Sequence, residues 1–101
     1  MPWTKVATTA DLAPEEVIEV TVGDLSIALY NVEGAFYATH NICTHAFARL
    51  HKGYLEDCRI ECPLHQGVFD VRTGEPLEGP VSQPLRVFKV KLEGEDILVE
   101  T

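Results

Sequence analysis

The sequence of 101 residues lacks the features that would direct it to a membrane or to nucleic acid. Its N-terminal stretch contains one lysine and no apolar segment of the kind found in targeting signals. No apolar run approaches the roughly 18 residues of a membrane span. Eight basic residues stand against sixteen acidic ones, whereas phosphate binding requires clustered Lys and Arg. We therefore expect a soluble, cytoplasmic protein that binds neither membranes nor nucleic acid.

The sequence also lacks internal repeats, low-complexity tracts and long linkers. A chain of this length is too short for two independent cores, although 46% hydrophobic residues are enough for one modest core. We predict one domain over residues 1–101 and a monomer. The net charge of −8 favours a transient partner with a basic surface.

The three cysteines are an odd number, so a disulfide framework does not account for them. In an intracellular chain, metal ligation or a free thiol is the expected use of cysteine. All three cysteines and three of the four histidines lie within residues 43–65. This crowding indicates a metal site, and a bound metal would also help to stabilise so small a domain.

No window has the period of a long amphipathic helix, whereas several segments alternate apolar and polar residues with the period of a β-strand. Gly23-Asp24 and Glu33-Gly34 separate such segments as hairpin turns do. The predicted fold is all-β, an antiparallel sandwich or barrel that forms the base of the molecule. The predicted strands are WTKVA (an edge strand), VIEVTV, LSIALYNV, AFYATH, LRVFKVKLE and ILVE, with a turn at TADLAPEE.

The middle of the chain, from residue 41 to about residue 76, differs from the rest. Only very short strands fit there, within GYLED, RIECP and VFDV, between loops that contain the Cys and His residues. We predict that this segment is inserted between two strands of the β base and is built around something bound. The following stretch, LEGPVSQPL, contains Gly79-Pro80 and Pro84, and we expect a stiff loop that covers a neighbouring surface.

Four residues form the candidate metal site: Cys43, His45, Cys62 and His65. Each Cys–His pair fits on one tight loop, and sixteen residues separate the two pairs. Zinc accepts such a set, but zinc fingers place both cysteines before both histidines, the latter on a helix. Loops that each mix sulfur and imidazole suit a centre with two unlike metal positions, as in a Rieske [2Fe–2S] cluster.

The segments CTH and CPLHQG resemble the two cluster-binding boxes of Rieske proteins. With the β base, the inserted segment and the proline loop, the chain resembles the small Rieske ferredoxins of bacterial aromatic-ring-hydroxylating dioxygenase systems, such as the biphenyl and naphthalene systems. The resemblance implies the Rieske fold, with a rubredoxin-like cluster-binding subdomain over about residues 41–76 inserted in the β base, and one [2Fe–2S] cluster per chain. Cys43 and Cys62 would ligate the buried iron, and His45 and His65 the outer one.

The resemblance also implies a function, that of a soluble one-electron carrier and not of an enzyme. It would accept electrons from a flavin-dependent ferredoxin reductase and pass them to a terminal oxygenase. Two alternatives stay open: a Rieske-like small subunit of a reductase such as nitrite reductase, and a structural zinc module for protein interaction.

The reduction potential is expected at the low end of the Rieske range. High-potential relatives have a disulfide between the loops, where this chain has Ala48 and Leu64. Those relatives also hydrogen-bond the cluster through Ser and Tyr hydroxyls, and the matching residues here are Gly67 and Phe69. Fewer donors stabilise the reduced state less.

The remaining candidates are interpreted as bystanders. Cys58 is expected to be a free structural thiol, and His40 and His51 to be partly exposed polar residues. Phe47 is expected either to shield the cluster or to contact a partner. The strand aromatics Tyr30, Phe36, Tyr37 and Phe88 are expected in the core.

Overall fold

The computed structural model describes residues 2–44, 48–64, 67–79 and 83–101, and in these ranges the chain forms two antiparallel sheets. The strands are β1 Trp3–Thr8, β2 Val17–Val22, β3 Leu25–Val32, β4 Ala35–His40, β5 Tyr54–Glu56, β6 Arg59–Glu61, β7 Val68–Asp70, β8 Pro76–Glu78, β9 Val87–Glu93 and β10 Asp96–Glu100. The predicted all-β, antiparallel fold is confirmed.

The larger sheet contains the strands of the N- and C-terminal parts in the order β1-β10-β9-β4-β3-β2. β1 is an edge strand, as predicted, and it lies close to the other edge, β2, so the sheet approaches a barrel. Gly23, Glu33 and Gly34 have positive φ angles of 60°, 53° and 90°. Tight two-residue hairpin turns require this left-handed conformation, and they set the continuous registers of β2 with β3 and of β3 with β4.

The smaller sheet lies between β4 and β9 in the chain and has the order β5-β6-β7-β8. Its first three strands agree with the predicted ones, but β8 was not predicted. The loop expected to begin at Leu77 therefore begins at Gly79. β8 could not be predicted from the sequence pattern, because it starts with Pro76 and its pairing with β7 is irregular. The paired residues are Val68↔Glu78 and Phe69↔Pro76, with a shift of register between them.

Two groups of buried apolar side chains hold the sheets together. The base core consists of Ala7, Leu12, Val20, Ile27, Leu29, Ala38, Phe88, Ile97 and Val99. The shared core consists of Ala28, Tyr30, Val32, Cys43, Ala48, Leu50, Ile60, Cys62, Phe69, Val71 and Leu85. β3 contributes to both cores because successive side chains of a strand point to opposite faces. The inserted segment therefore packs directly on the outer face of the base.

The strand aromatics divide between the two cores. Tyr30 and Phe88 are buried, as predicted, whereas Phe36 and Tyr37 are half-buried and pack against the margins of the base core and the shared core, respectively. The buried hydroxyl of Tyr30 is 2.8 Å from Oγ1 of Thr39, so its burial leaves no polar atom unpaired.

The helical structure in the described ranges consists of two 3₁₀ turns, Thr9–Asp11 and Leu50–Lys52. The first agrees with the predicted turn. Within the part of the chain that the structure describes, no helix is long and apolar enough to cross a membrane.

We expect Gly74→Ala to destabilise the protein more than Gly94→Ala. Both glycines have positive φ, 79° and 62°, so both substitutions incur the left-handed backbone cost of about 1–2 kcal/mol. Only at position 74 would the new methyl group collide with the carbonyl oxygen of Leu85, because the surroundings of Gly94 are open. We expect this collision to add about 1–3 kcal/mol.

Thermal unfolding of the two variants measures the difference. Each 1 kcal/mol corresponds to roughly 4–8 °C in Tm for a domain of this size. Equal Tm values for the two variants would contradict the close approach at Gly74.

Candidate functional site

The first candidate loop, which contains Cys43, closes as a short hairpin. The N–H of Leu50 donates to the carbonyl of Asn41 at 2.7 Å, and the N–H of Cys43 donates to the carbonyl of Ala48 at 2.9 Å. An isolated antiparallel bridge lies between these two bonds. The backbone on both sides of the loop tip is therefore fixed.

The second candidate loop connects β6 to β7 and is closed in the same way. Here the N–H of Cys62 donates to the carbonyl of Gly67 at 2.7 Å. In both loops a cysteine N–H thus bonds the carbonyl five residues later, and each loop presents its cysteine at the same place in the turn. The two loops are thus closed by equivalent hydrogen bonds although their Cys–His spacings differ.

The equivalent loops bring two thiols together inside the shared core. Cys43 and Cys62 are 4% and 0% exposed, and Cys43 lies close enough to Cys62 to affect its pKa. Burial raises the pKa of the Cys62 thiol; the N–H of Leu64, which bonds the sulfur, opposes this rise, and the adjacent Cys43 adds to it. Without a compensating cation, a pair of thiolates is therefore unfavourable here.

This donor pair fits a metal centre with soft ligands. Thiolates are the form in which cysteine ligates iron or zinc, and a metal cation offsets the cost of burying their charge. The backbone N–H of Leu64 lowers the pKa of Cys62, as expected of a donor that would stabilise negative charge on a cluster ligand. All three cysteines are free of disulfides.

His45 and His65, the other two predicted ligands, lie outside the described residues, as do Phe47 and Gln66. Their role as ligands therefore stays a prediction. Among the residues that the structure does describe, no group of three or more Cys, His, Asp or Glu side chains could hold a metal ion. The described part of the site is the cysteine pair.

The predicted proline loop meets the first candidate loop. Oγ1 of Thr44, the residue after Cys43, donates to the carbonyl of Gln83 at 2.9 Å. Gly79 opens the loop with a φ of 85°, and Pro84, which is exposed, lies near its end. Pro80 lies outside the described residues. The contact at Thr44 agrees with a loop that covers the surface next to the site.

The residues interpreted as bystanders lie at the margins of the site. Cys58 is half-buried against the shared core, and its carbonyl accepts a bond from the N–H of Val71 at 2.8 Å. His40 ends β4 and His51 lies in the second 3₁₀ turn; both are half-buried. These positions agree with the predicted structural thiol and the two partly exposed histidines.

The four positions considered for the reduction potential also have defined places. Ala48 and Gly67 are buried at the closing bonds of the two loops, and Leu64 is 51% exposed at the surface. Phe69 is fully buried in the shared core together with both cysteines. The low potential itself stays a prediction.

Sequence reasoning missed a polar network beneath the first candidate loop. We call it the Asn41 network, and it consists of Glu19, Ser26, Asn41, Arg49 and His51. Asn41 is fully buried and central to it. One signal was available: Asn41 is a short polar residue between a predicted strand and a candidate ligand, a position that usually requires a specific hydrogen-bonding role. Its partners in β2 and β3 could not be identified from the sequence.

Comparisons with known proteins agree with the geometry. The ferredoxin component of the naphthalene 1,2-dioxygenase system of Pseudomonas putida is 46% identical over 97% of this chain and 94% of its own length. The ferredoxin component of biphenyl 2,3-dioxygenase from Rhodococcus jostii (strain RHA1) is 47% identical over 99% and 94%.

A solved structure described as a complex of reduced oxygenase and oxidized ferredoxin in carbazole 1,9a-dioxygenase contains a similar chain. It superimposes with a TM-score of 0.91 at 41% identity, over 96% of this chain and 91% of that one. The family model of the Rieske [2Fe–2S] domain matches residues 2–89. This match covers both candidate loops, the strands β1 to β8 and the shared core, so the chain belongs to the Rieske [2Fe–2S] domain family.

Proposed function

We propose that this protein is a one-electron carrier that delivers electrons through a single Rieske [2Fe–2S] cluster to a terminal aromatic-ring-hydroxylating oxygenase. The observation that carries the proposal is the pair of buried, adjacent cysteines on two equivalent loops. Similarity to dioxygenase ferredoxin components over nearly the whole chain supports the same function.

The proposed ligands are Cys43 and Cys62 for the inner iron and His45 and His65 for the outer iron. The cysteines suit the inner position because their sulfurs are buried and face each other. When bound, the cluster accepts and releases one electron at a potential set by its ligands and surroundings. The residues of this chain hold it, exclude water from the sulfur side and supply hydrogen-bond donors such as the N–H of Leu64.

We further propose that the chain does not catalyse oxygenation itself. Its relatives are named as ferredoxin components, and it covers 94% of their length, so it corresponds to the carrier and not to an oxygenase. Beyond the proposed ligands the chain has two histidines, His40 and His51. His51 is already hydrogen-bonded to Asn41. A second iron held by two histidines and a carboxylate therefore has no evident place here.

The proposed partners are a flavin-dependent ferredoxin reductase and the terminal oxygenase, both bound transiently by a cytoplasmic monomer. The net charge of −8 favours fast encounter with basic surfaces, which suits a carrier that must bind and leave quickly. A role as the small subunit of a reductase such as nitrite reductase is less well supported, because the curated relatives at 46–47% identity are named as ferredoxin components of dioxygenases.

We expect the anaerobically purified protein to be red-brown and, after dithionite reduction, to give the EPR signal of a Rieske cluster. Iron and labile sulfide should each approach two per chain, as one [2Fe–2S] centre requires. A colourless protein with stoichiometric zinc and no labile sulfide would contradict the proposal and favour the zinc module.

We expect Cys62→Ala to abolish cluster binding and Cys58→Ala to retain one cluster per chain. Cys62 faces Cys43 in the shared core, whereas Cys58 only packs against that core from its margin. Visible absorbance and iron content measure the result. Cluster loss in Cys58→Ala, in a variant with native thermal stability, would contradict the assignment of Cys58 as a bystander.

The reduction potential is expected near the low end of the Rieske range, and His65→Cys should lower it by roughly 100 mV or more. Rieske clusters, with two imidazole ligands, have potentials down to about −150 mV, whereas plant-type clusters with four thiolates lie near about −400 mV. Replacing one imidazole should therefore lower the potential by about half of this difference. The physical reason is the added negative charge, which makes the reduced state less favourable.

Protein-film voltammetry or a dye-mediated titration measures the midpoint of the wild type and the variant. His45→Cys is the matched second variant and should shift the potential in the same direction. An unchanged midpoint in a variant with an intact cluster would contradict the proposed ligands, and a strongly positive wild-type midpoint would contradict the low-potential assignment.

A further inference from the structure

The buried side chain of Asn41 bonds both the base and the end of the first candidate loop. Its Oδ1 accepts a bond from the backbone N–H of His51 at 2.9 Å. Its Nδ2 lies 3.1 Å from Oγ of Ser26 and 2.9 Å from Nδ1 of His51. Its backbone N–H donates to the carbonyl of Ser26 at 3.0 Å, and its carbonyl accepts from the N–H of Leu50 at 2.7 Å. One residue thus joins β3 to both sides of the loop that carries Cys43.

These contacts fix the direction of every hydrogen bond around Asn41. A backbone N–H can only donate, so the atom facing the N–H of His51 must be the amide oxygen, and the other end must be the NH₂ group. Since that NH₂ group is a donor, Nδ1 of His51 must accept and the imidazole proton must lie on Nε2. The Asn41 network therefore requires a neutral His51 in one tautomer.

The hydrogen bonds of Ser26 agree with this orientation of the Asn41 amide. The hydroxyl of Ser26 donates to Oε2 of Glu19 at 2.5 Å, so it is free to accept from the amide of Asn41. Arg49 reaches the same carboxylate at 3.0 Å. The hydrogen bond from Ser26 is the main cause that holds the pKa of Glu19 below its usual range. Desolvation opposes it, and the charge of Arg49 adds a smaller lowering.

Protonation of His51 would place two donors against each other. An N–H on Nδ1 would face the NH₂ group of Asn41. Rotating the side-chain amide of Asn41 to exchange its oxygen and nitrogen does not remove this repulsion, because the NH₂ group would then face the backbone N–H of His51. In either orientation one buried hydrogen bond is lost and a donor is left unpaired, which is costly away from water.

We propose that Asn41 is the positioning residue of the first cluster loop and that His51 makes this positioning sensitive to protonation. The inference rests on the proposed function, because the loop matters through its ligands Cys43 and His45. With neutral His51 the loop is fixed to β3. With protonated His51 the hairpin opens more readily at the bond between Leu50 and Asn41, and the cluster is released faster.

The charged groups around His51 do not remove this effect. The second 3₁₀ turn packs against β2 and β3. β2 faces it with Glu19, which would attract an imidazolium, and β3 faces it with the uncharged Ser26. Arg49 and Lys52 lie beside His51 in the chain and would repel it. Among the described contacts, the bond with Asn41 is the one that changes from favourable to unfavourable on protonation.

The test compares oxidised wild-type holoprotein with His51→Gln at pH 7.5 and pH 5.5. A Gln side chain can offer an amide oxygen to Asn41 but does not titrate in this range, unlike histidine. We expect the hydrogen-exchange protection of the Leu50 amide to fall roughly tenfold on acidification in the wild type, as the loss of one buried hydrogen bond implies. In His51→Gln it should change less than about twofold.

The rate of cluster loss, followed by visible absorbance, should show the same difference between the proteins. Acid attack on the cluster ligands is common to both, so the difference reports His51 alone. An equal acid response of Leu50 protection in wild type and His51→Gln would overturn the proposal. So would a ¹⁵N NMR spectrum showing the proton of neutral His51 on Nδ1.

Asn41→Asp provides a second variant with the opposite expectation. A carboxylate accepts from both the backbone N–H and a protonated Nδ1 of His51, so acidification should now increase Leu50 protection instead of decreasing it. A decrease of Leu50 protection on acidification, as expected in the wild type, would contradict the proposal. If this variant does not fold, the comparison of the wild type with His51→Gln still tests the proposal.

The outcomes also separate this inference from the proposed function. A wild-type protein without a Rieske EPR signal would overturn the proposed function, while Leu50 protection would still test the Asn41–His51 bond. A normal Rieske signal with no effect of His51→Gln would leave the proposed function intact and overturn the inference.

Discussion

The structure depends on the burial of two thiols side by side in an apolar core. Cys43 and Cys62 are surrounded by the side chains that join the base to the inserted segment, including Tyr30 and Phe69. Deprotonating both thiols in that environment is unfavourable, and a bound iron cluster would compensate the charge of the two thiolates. With Cys43 and Cys62 as its proposed ligands, the cluster would be part of the core, and its binding free energy would contribute to the stability of a chain that has only a modest core of its own.

This constraint explains why β3 is buried on both faces. One side of β3 packs into the base core through Ile27 and Leu29, and the other side forms the floor beneath the inserted segment through Ala28 and Tyr30. An ordinary strand of an antiparallel sheet can expose one face, but here the inserted segment covers the second face of β3. The near-continuous apolar sequence of β3 follows from this double contact.

The sequence predicted most of the strands of the base, because these depend on local patterns. It also predicted that the loops of Cys43 and Cys62 converge, whereas the ligand roles of these residues stay a prediction. Alternation along β2, β4 and β9 and the turn at Gly23-Asp24 are readable from neighbouring residues. β8 was missed because its short, proline-led segment forms a strand only through pairing with β7. The Asn41 network was missed for a related reason: Ser26 and His51 are distant in sequence and meet Asn41 only in the folded chain.

The distribution of charge bears on how such a carrier meets its partners. Ten of the sixteen acidic residues but only four of the eight basic ones lie outside residues 41–84, so the base is more negative than the inserted segment together with the proline loop. Long-range attraction to a basic partner therefore acts mainly on the base and does not by itself bring the cluster loops into contact. Short-range fit at those loops must select the productive orientation, and the exposed Leu64, two residues after Cys62, is an apolar contact suited to that selection. Charge would then set the encounter rate, and an apolar contact at Leu64 would help to set the geometry of electron transfer.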